Sequence, residues 1–271
     1  MRVVVCVKEV ADPDRVNELA QGRYLRVDAE ALDLDREHIA AVMNGNDEQA
    51  ITVATSLRAA AEDCEVIALG CTSGNPEPLL RRAMELGADR ACWVHLDAPL
   101  HSPRSVAHVL ARAVRFIGGA DVVLCGHQAS DDDQGVVGPL LAAQLDAGFA
   151  DEVHRVEAAS ASTVLLHRRT AEEDVVLEAQ RPVVAAIKDD AWQPPIPKAV
   201  HIIAARRVPP VELSAGEIGV DAPRIAGYEA AMERVAFELV ESSGTCDIID
   251  GPSLDAVAAA LVARLRAGGV L

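Results

Sequence analysis

Aromatic side chains are scarce, with three Phe, two Tyr and two Trp among 271 residues. Aliphatic side chains must therefore build the core. With half of all residues hydrophobic, there are enough of them for one substantial core, or for one large lobe and one small. A disordered or collagen-like chain is thereby excluded. Basic residues are also few, since 25 Lys and Arg face 42 Asp and Glu and leave a formal charge of −17. An anion of that size repels phosphate backbones and anionic lipid at long range, which argues against nucleic acid as a partner.

Paired cysteines are missing too. Cys6, Cys64, Cys71, Cys92, Cys125 and Cys246 form no CxxC unit and sit in apolar runs such as VVVCV and DVVLC. That is the pattern of buried thiols in a reducing compartment, with neither a disulfide framework nor a metal site. Nowhere do about 18 apolar residues run uninterrupted, so no direct membrane insertion is expected. The opening MRVVVCVKEV is too short for a secretory core and carries no small-residue cleavage site. The expectation is a soluble cytoplasmic protein.

What is present is alternation. Val3 to Val7 reads as a strand; a helix follows near Asp47 to Ala61, then a strand over Glu65 to Gly70 and a helix over Pro76 to Leu86. Next come a strand over Ala91 to His95, a helix over Ser105 to Ile117, a strand over Asp121 to Cys125 and a helix over Val136 to Leu145. That order predicts an α/β fold with right-handed crossovers and a mostly parallel sheet covered on both faces. Asn75 suits an N-cap, Pro76 the first helical position and Gly87 the left-handed residue after the helix. In the next helix Val106, Val109, Leu110, Ala113, Val114 and Ile117 make one apolar stripe.

The texture changes beyond about Asp151. STVLLHRRT and EEDVVLEAQ read as two strands joined around Thr170 to Glu173, a hairpin appended to the sheet, followed by a buried strand over Pro182 to Ile187. An arm with prolines at 194, 195, 197, 209 and 210 comes next and reads as a loop with a short helix. The tail from Pro252 to Gly268 reads as a helix capped by Ser253. We expect an α/β domain over residues 1–221, with its Pro-rich loop at 189–210. Residues 222–271 form a C-terminal extension whose helix packs on the chain's own core or on a partner.

In an open α/β sheet the carboxyl ends of the strands form a crevice into which helix N-termini point their N–H groups. Cys6 to Glu9, Gly70 to Gly74 and Gly126 to Gly138 should meet there. Walker A and GxGxxG fingerprints are absent, as are GxSxG and HExxH, so no catalytic residues are assigned. What remains is a nucleotide held by backbone amides, with Gly135 and Gly138 letting the chain approach a phosphate. Of Asp131, Asp132 and Asp133, one can cap the helix while another accepts from a ribose hydroxyl or an adenine amine; the plainer alternative is a solvated, acid-rich helix start. His127 is the one histidine of eight placed in the crevice, whereas His95 and His108 read as surface or partly buried residues.

Several stretches together resemble the beta subunit of electron-transfer flavoproteins: VVVCVKEVADPD at 3–14, Met43-Asn44 followed by Asp47-Glu48, RRAMELGADRA at 81–91 and DVVLCGHQASDDDQGVVGP at 121–139. The likeness runs on through RPVVAAIK and IPKAVHIIAARRVPP to Gly219-Val220-Asp221. It implies a Rossmann-like sheet of the adenine-nucleotide alpha-hydrolase type and a heterodimer whose alpha subunit holds most of the FAD. Electrons would then shuttle from flavin dehydrogenases, of the acyl-CoA dehydrogenase type or another, to an acceptor such as a membrane quinone oxidoreductase. The chain alone would be a carrier and no enzyme. The beta subunit of this family buries AMP, or in bifurcating members the adenylate half of a second FAD. Carried over, the cofactor contacts would be Cys6, Asn44, Cys71, Gly126, His127, Gln128, Ala129, Ser130, Asp131, Asp132, Asp133, Gln134, Gly135, Val136 and Val137. Ile196 and Pro197, with Trp192 nearby, would anchor a dehydrogenase, against the plainer reading of a loop laid on the sheet or on the alpha subunit.

The chain departs from the family pattern in several places, two of them at the crevice. Gly135-Val136-Val137 replaces an Asn-Gln-Thr run, leaving main-chain N–H groups and the helix end to meet a phosphate. Gly45-Asn46 replaces a proline and an aromatic near the flavin side. A stand-alone adenine-nucleotide-binding protein of the universal-stress type is the rival reading. An adenylating enzyme is disfavoured, because no SGGxDS-type loop follows the first strand.

Overall fold

The computed structural model describes residues 1–61, 63–188, 194, 196–240 and 247–271. It divides into two compact units, Met1–Ala236 and Phe237–Leu271. In the first half of the larger unit the elements are β1 (Arg2–Cys6), β2 (Glu9–Ala11), α1 (Pro13–Gln21), β3 (Val27–Asp28), β4 (Asp33–Leu34), β5 (Ala41–Met43), α2 (Gly45–Ala60), β6 (Glu65–Thr72), α3 (Glu77–Glu85), β7 (Arg90–His95), α4 (Pro103–Phe116) and β8 (Val122–Gly126). Then come α5 (Val137–Leu145), β9 (Gly148–Ala158), β10 (Thr163–Arg169), β11 (Asp174–Gln180), β12 (Val183–Ile187), α6 (Ala199–Ala205), β13 (Val211–Ser214) and α7 (Ala222–Ala230). The smaller unit carries α8 (Leu254–Ala267), whose N-cap Ser253 accepts from Ala256 N–H at 3.3 Å. No helix among the described residues is long and apolar enough to cross a membrane.

Nine strands form one sheet in the order β11-β10-β9-β12-β8-β1-β6-β7-β13, and every pairing from β9 to β13 is parallel. The expected Rossmann-like α/β sheet is thus the fold, with the hairpin β10–β11 continuing it antiparallel at one edge. The central strands are apolar on both faces, as strands covered on both sides must be. Odd positions of β1, Val3 and Val5, join Ile51 and Leu57 of α2, Leu80 of α3 and Leu124 of β8 in one buried cluster. The even Val4 faces the other way and joins Val109 and Leu110 of α4 and Leu141 of α5. The α4 stripe lies where its periodicity places it, with Val109, Leu110, Ala113 and Val114 buried.

The structure corrects several local expectations. α3 starts at Glu77 with Pro76 as its cap residue, although the Asn75 side chain still accepts from Glu77 N–H at 3.0 Å. α5 starts at Val137, and its cap Val136 makes no side-chain hydrogen bond, so none of the three aspartates caps it. His108 is buried, only 5% exposed, and desolvation lowers its pKa. The long strand β9 was not anticipated, nor was β13, which follows Pro209-Pro210 and sits at the sheet edge where prolines beside a strand are tolerated. The anchor residue Trp192 lies outside the described residues, while Ile196 is 92% exposed.

β1 feeds β6 on one side, whereas β8 lies on β1's other side and leads on toward β9 and β12. The β1/β8 boundary is therefore the point where strand order reverses, and a crevice opens there beyond the strand ends. The packing beneath it is tight. Leu124→Ala, at a fully buried position of β8, is expected to cost about 2–5 kcal/mol. Val176→Thr on the exposed edge strand should stay within about 0.5 kcal/mol; chemical denaturation of the full chain checks both.

Candidate functional site

Beyond the ends of β1, β6 and β8 lies a cavity of about 460 Å³, inside the ~300–1,000 Å³ usual for small-molecule sites. Its wall includes Cys6 and Lys8 after β1, Gly70 to Gly74 at the end of β6, and Gly126 to Ala129 after β8. Gln134 to Gly138 at the start of α5 complete one side, while Leu100 and, on α4, Pro103, Val106 and Leu110 form an apolar flank; beside them stands His101, a second histidine at the cavity where the sequence placed only His127. The three segments singled out from the sequence therefore converge. The contribution of α4 was missed, because its apolar stripe reads as core alone.

The N-terminus of α2 ties the strand ends together. Asp47, 5% exposed, accepts Lys8 N–H at 2.8 Å through Oδ2 and Gly126 N–H at 3.0 Å through Oδ1. Asn44 donates from Nδ2 to the Gln128 carbonyl at 2.9 Å, and Asn46 donates to the same carbonyl at 3.1 Å. Asn44 Oδ1 also accepts Ser130 N–H at 3.3 Å. Chain approach here is so close that a Cβ at Gly126 would sit 2.4 Å from Asp47 Oδ1 and 2.8 Å from the Asn46 Cβ. Only glycine fits at that position. Burial raises the Asp47 pKa to about 7, opposed by the hydrogen bonds from Lys8, Asn44 and Gly126.

The thiols make the floor of the cavity uncharged. Burial pushes the Cys71 and Cys125 thiols up to about 12, with Asp47 and Asp151 adding to the effect at Cys125. Cys6 is likewise raised well above its ordinary value by burial, and then by Cys125 and Asp47. They act as small apolar surfaces rather than nucleophiles. At the mouth, Lys8 Nζ binds Asp131 Oδ1 at 2.7 Å and Asp132 Oδ2 at 3.1 Å. Desolvation works against this ammonium, but its bonds to Asp131 and its attraction to both aspartates outweigh it, and the Lys8 pKa rises.

Of the residues expected at the site, Cys6, Asn44, Cys71, Gly126, His127, Gln128, Ala129, Asp132, Gln134, Gly135, Val136 and Val137 line the cavity. Ser130 and Asp133 face a neighbouring shallow depression beside β2 and α1, and Asp131 acts through Lys8. Gly135 has φ +62°, and an added Cβ would meet the His127 carbonyl at 3.2 Å. Its turn therefore favours glycine and brings bare backbone to the cavity. The α5 start follows directly, its first N–H groups left without a side-chain cap. Such a start is suited to an anion. The lining combines an apolar side, amide and main-chain polar groups, and uncapped backbone N–H groups at one end.

The chain is similar to known proteins over most of its length. Residues 31–217 match the electron transfer flavoprotein domain. The electron transfer flavoprotein subunit beta of Mycobacterium tuberculosis is 30% identical over 232 residues, 82% of each chain. The caffeyl-CoA reductase-Etf complex subunit CarD of Acetobacterium woodii is 25% identical over 271 residues, 98% of each chain. The acryloyl-CoA reductase electron transfer subunit gamma of Anaerotignum propionicum is 30% identical over 207 residues, 72% of this chain and 70% of that one.

The Asp47 clamp generates a pH prediction. Its carboxyl keeps a proton up to about pH 7 when folded but releases it near its ordinary 3.8 when unfolded. Between those values the folded state binds more protons, so this group's contribution to stability falls as pH rises and levels off above about 8. Measured against Asp47→Asn, the wild type should therefore lose an advantage of roughly 4 kcal/mol between pH 4 and 8. Paired thermal melts across that range check it, and parallel curves would contradict it.

Proposed function

The chain belongs to the electron transfer flavoprotein family, and we propose that it serves as the beta subunit of a heterodimeric electron carrier. Its alpha-type partner holds most of the flavin. A bound flavin supplies the electron-carrying chemistry; this chain provides the scaffold, a clamp for an adenylate group and a docking surface, and breaks no bond itself. The adenylate is that of AMP or of a second FAD. The observation that carries this reading is the cavity at the strand-order reversal, walled by main chain from the ends of β1, β6 and β8.

Within the cavity the apolar flank of Val106 and Leu110, with the neutral Cys6 and Cys71 thiols, suits an adenine ring. The Gly135 turn and the open start of α5 suit its phosphoryl group. Lys8, already held by two aspartates, steadies the loop and keeps its acidic side from facing the anion. Ile196, 92% exposed and followed by the conformationally restricted, half-buried Pro197, fits the anchoring of a partner flavin dehydrogenase at small entropic cost. A membrane quinone oxidoreductase is a candidate acceptor, reached from the cytoplasm.

Co-expression with the neighbouring alpha-type gene tests this. A yellow heterodimer is expected, with one FAD plus AMP for an ordinary carrier or two FAD for the bifurcating kind; a colourless chain that never co-purifies would overturn the reading. Gly135→Asp places a side chain on a left-handed residue and a negative charge beside the phosphoryl group. The purified Gly135→Asp complex should retain no nucleotide in the beta crevice, by chromatography of the released ligand. Unchanged nucleotide content would show that the phosphoryl group lies elsewhere.

A further inference from the structure

The pairing of β9 with β12 is interrupted next to His127, a residue of the cavity wall. Ala150 pairs with Ala185 of β12 and Val153 with Ile187, so three residue steps on β9 oppose two on its neighbour. The ladder to β10 shifts separately, between His167 and Arg168, whose partners Arg155 and Val153 skip His154 on that side. The extra residue sits within Asp151-Glu152, and Glu152 takes φ +54°, a left-handed conformation uncommon for a residue with a long side chain.

This bulge is held from several directions. Asp151 Oδ1 accepts Glu152 N–H at 2.8 Å, and the Asp151 carbonyl accepts Arg168 Nε at 2.6 Å. Lys188 Nζ meets Glu152 Oε1 at 2.9 Å while its N–H reaches the Val153 carbonyl at 3.2 Å. The consequence is directional, because Asp151 Oδ1 lies 2.6 Å from His127 Nδ1. A regular strand would give residues 151 and 152 opposite faces and a different aim. Backbone strain and four stabilising contacts thus converge on one carboxylate–imidazole pair beside the cavity.

We propose that Asp151 is a positioning residue that holds the His127 ring as a side-chain contact for the phosphoryl group of the bound adenosine nucleotide. This rests on the adenylate reading above. An ionised carboxylate only accepts, so Nδ1 must be the donor to Asp151, and Nε2 is the ring nitrogen left for a ligand. Contact with a phosphoryl oxygen requires a hydrogen on Nε2 as well, so in the proposed complex the ring acts as a donor at both nitrogens. His127 belongs to the cavity wall, and its carbonyl lies directly under the Gly135 turn to which the phosphoryl group is assigned. Lys8, which also lines the cavity, is engaged by Asp131 and Asp132. The pair therefore supplies a charge-assisted donor where the side-chain donors of the family's Asn-Gln-Thr run are missing.

The test compares the full chain with Asp151→Asn, His127→Gln and the double variant. AMP, FAD and adenosine are titrated calorimetrically, and the His127 ring nitrogens are followed by ¹⁵N NMR. Each variant, and the double variant no further, should lower the preference for AMP over adenosine by about tenfold. Asp151→Asn should also release the fixed Nδ1–H signature of the ring. The same loss with FAD assigns the contact to the phosphoryl group that both ligands share, and a loss with AMP alone assigns it to the terminal oxygens that FAD esterifies. Equal weakening of AMP and adenosine in Asp151→Asn would reduce the residue to a structural role and overturn the proposal, as would an unchanged preference. A wild-type chain that binds none of the three ligands would instead remove the adenylate reading on which it stands.

Discussion

A single buried carboxylate holds the crevice together. At the carboxyl ends of parallel strands the last N–H groups have no further ladder partner, and where strand order reverses, the two neighbouring chains diverge. Asp47 meets one such group from each chain, Lys8 N–H after β1 and Gly126 N–H at the end of β8. Each would cost about 1–3 kcal/mol if buried without a partner. The carboxylate is itself expensive to bury, which is why its proton is held to about pH 7. Both of its oxygens nevertheless serve as acceptors, as two facing N–H donors require. Because α2 supplies it, the helix start, the two strand ends and the loop from Gln128 onward move as one piece, and the cavity geometry follows from that linkage.

The charge arrangement extends the same logic outward. A chain of net charge −17 is an unpromising host for an anionic ligand unless its acids are turned away from the site or neutralised. Asp131 and Asp132 are drawn onto Lys8, Asp47 is turned inward onto backbone N–H groups, and the nearby thiols are kept neutral by burial. What faces the cavity from the α5 side is mostly main chain, which carries partial positive charge at a helix start without adding a formal cation. The small residues of this region serve that end, since Gly126 admits the Asp47 carboxylate and Gly135 exposes its backbone.

Much of this was legible from the residues because periodicity and punctuation agreed. Val3 to Val7, Glu65 to Gly70 and Asp121 to Cys125 are short apolar runs between turn signals, and the α4 stripe has helical spacing; all occur as elements at nearly those bounds. The strand order places their ends together, so the three crevice segments could be named in advance. β9 escaped because its sequence, GFADEVHRVEA, breaks the two-residue alternation at the bulge and carries charge at both bulge positions. Asp47 could be quoted within a motif but not assigned a task, since nothing local distinguishes it from an ordinary acidic residue in a first helical turn. The same holds for the helix cap expected from Asp131 to Asp133, which depended on where the chain turned.

The departures from the family pattern then become parts of one arrangement. Gly45-Asn46 in place of a proline and an aromatic removes bulk at the start of α2, and Asn46 uses its amide to hold the Gln128 carbonyl. Gly135-Val136-Val137 removes side-chain donors at the start of α5 but leaves its backbone bare. The second change leaves main chain where side chains could stand, and main chain keeps its place only if the backbone is fixed. The elements that fix it are the polar clamp from α2 on one side and the anchored bulge of β9 on the other. A strained left-handed residue at Glu152 and a buried acid at Asp47 are each unfavourable alone. They persist because each lies beside the strand end Gly126-His127, which the segments of Asp47 and Asp151 hold in place.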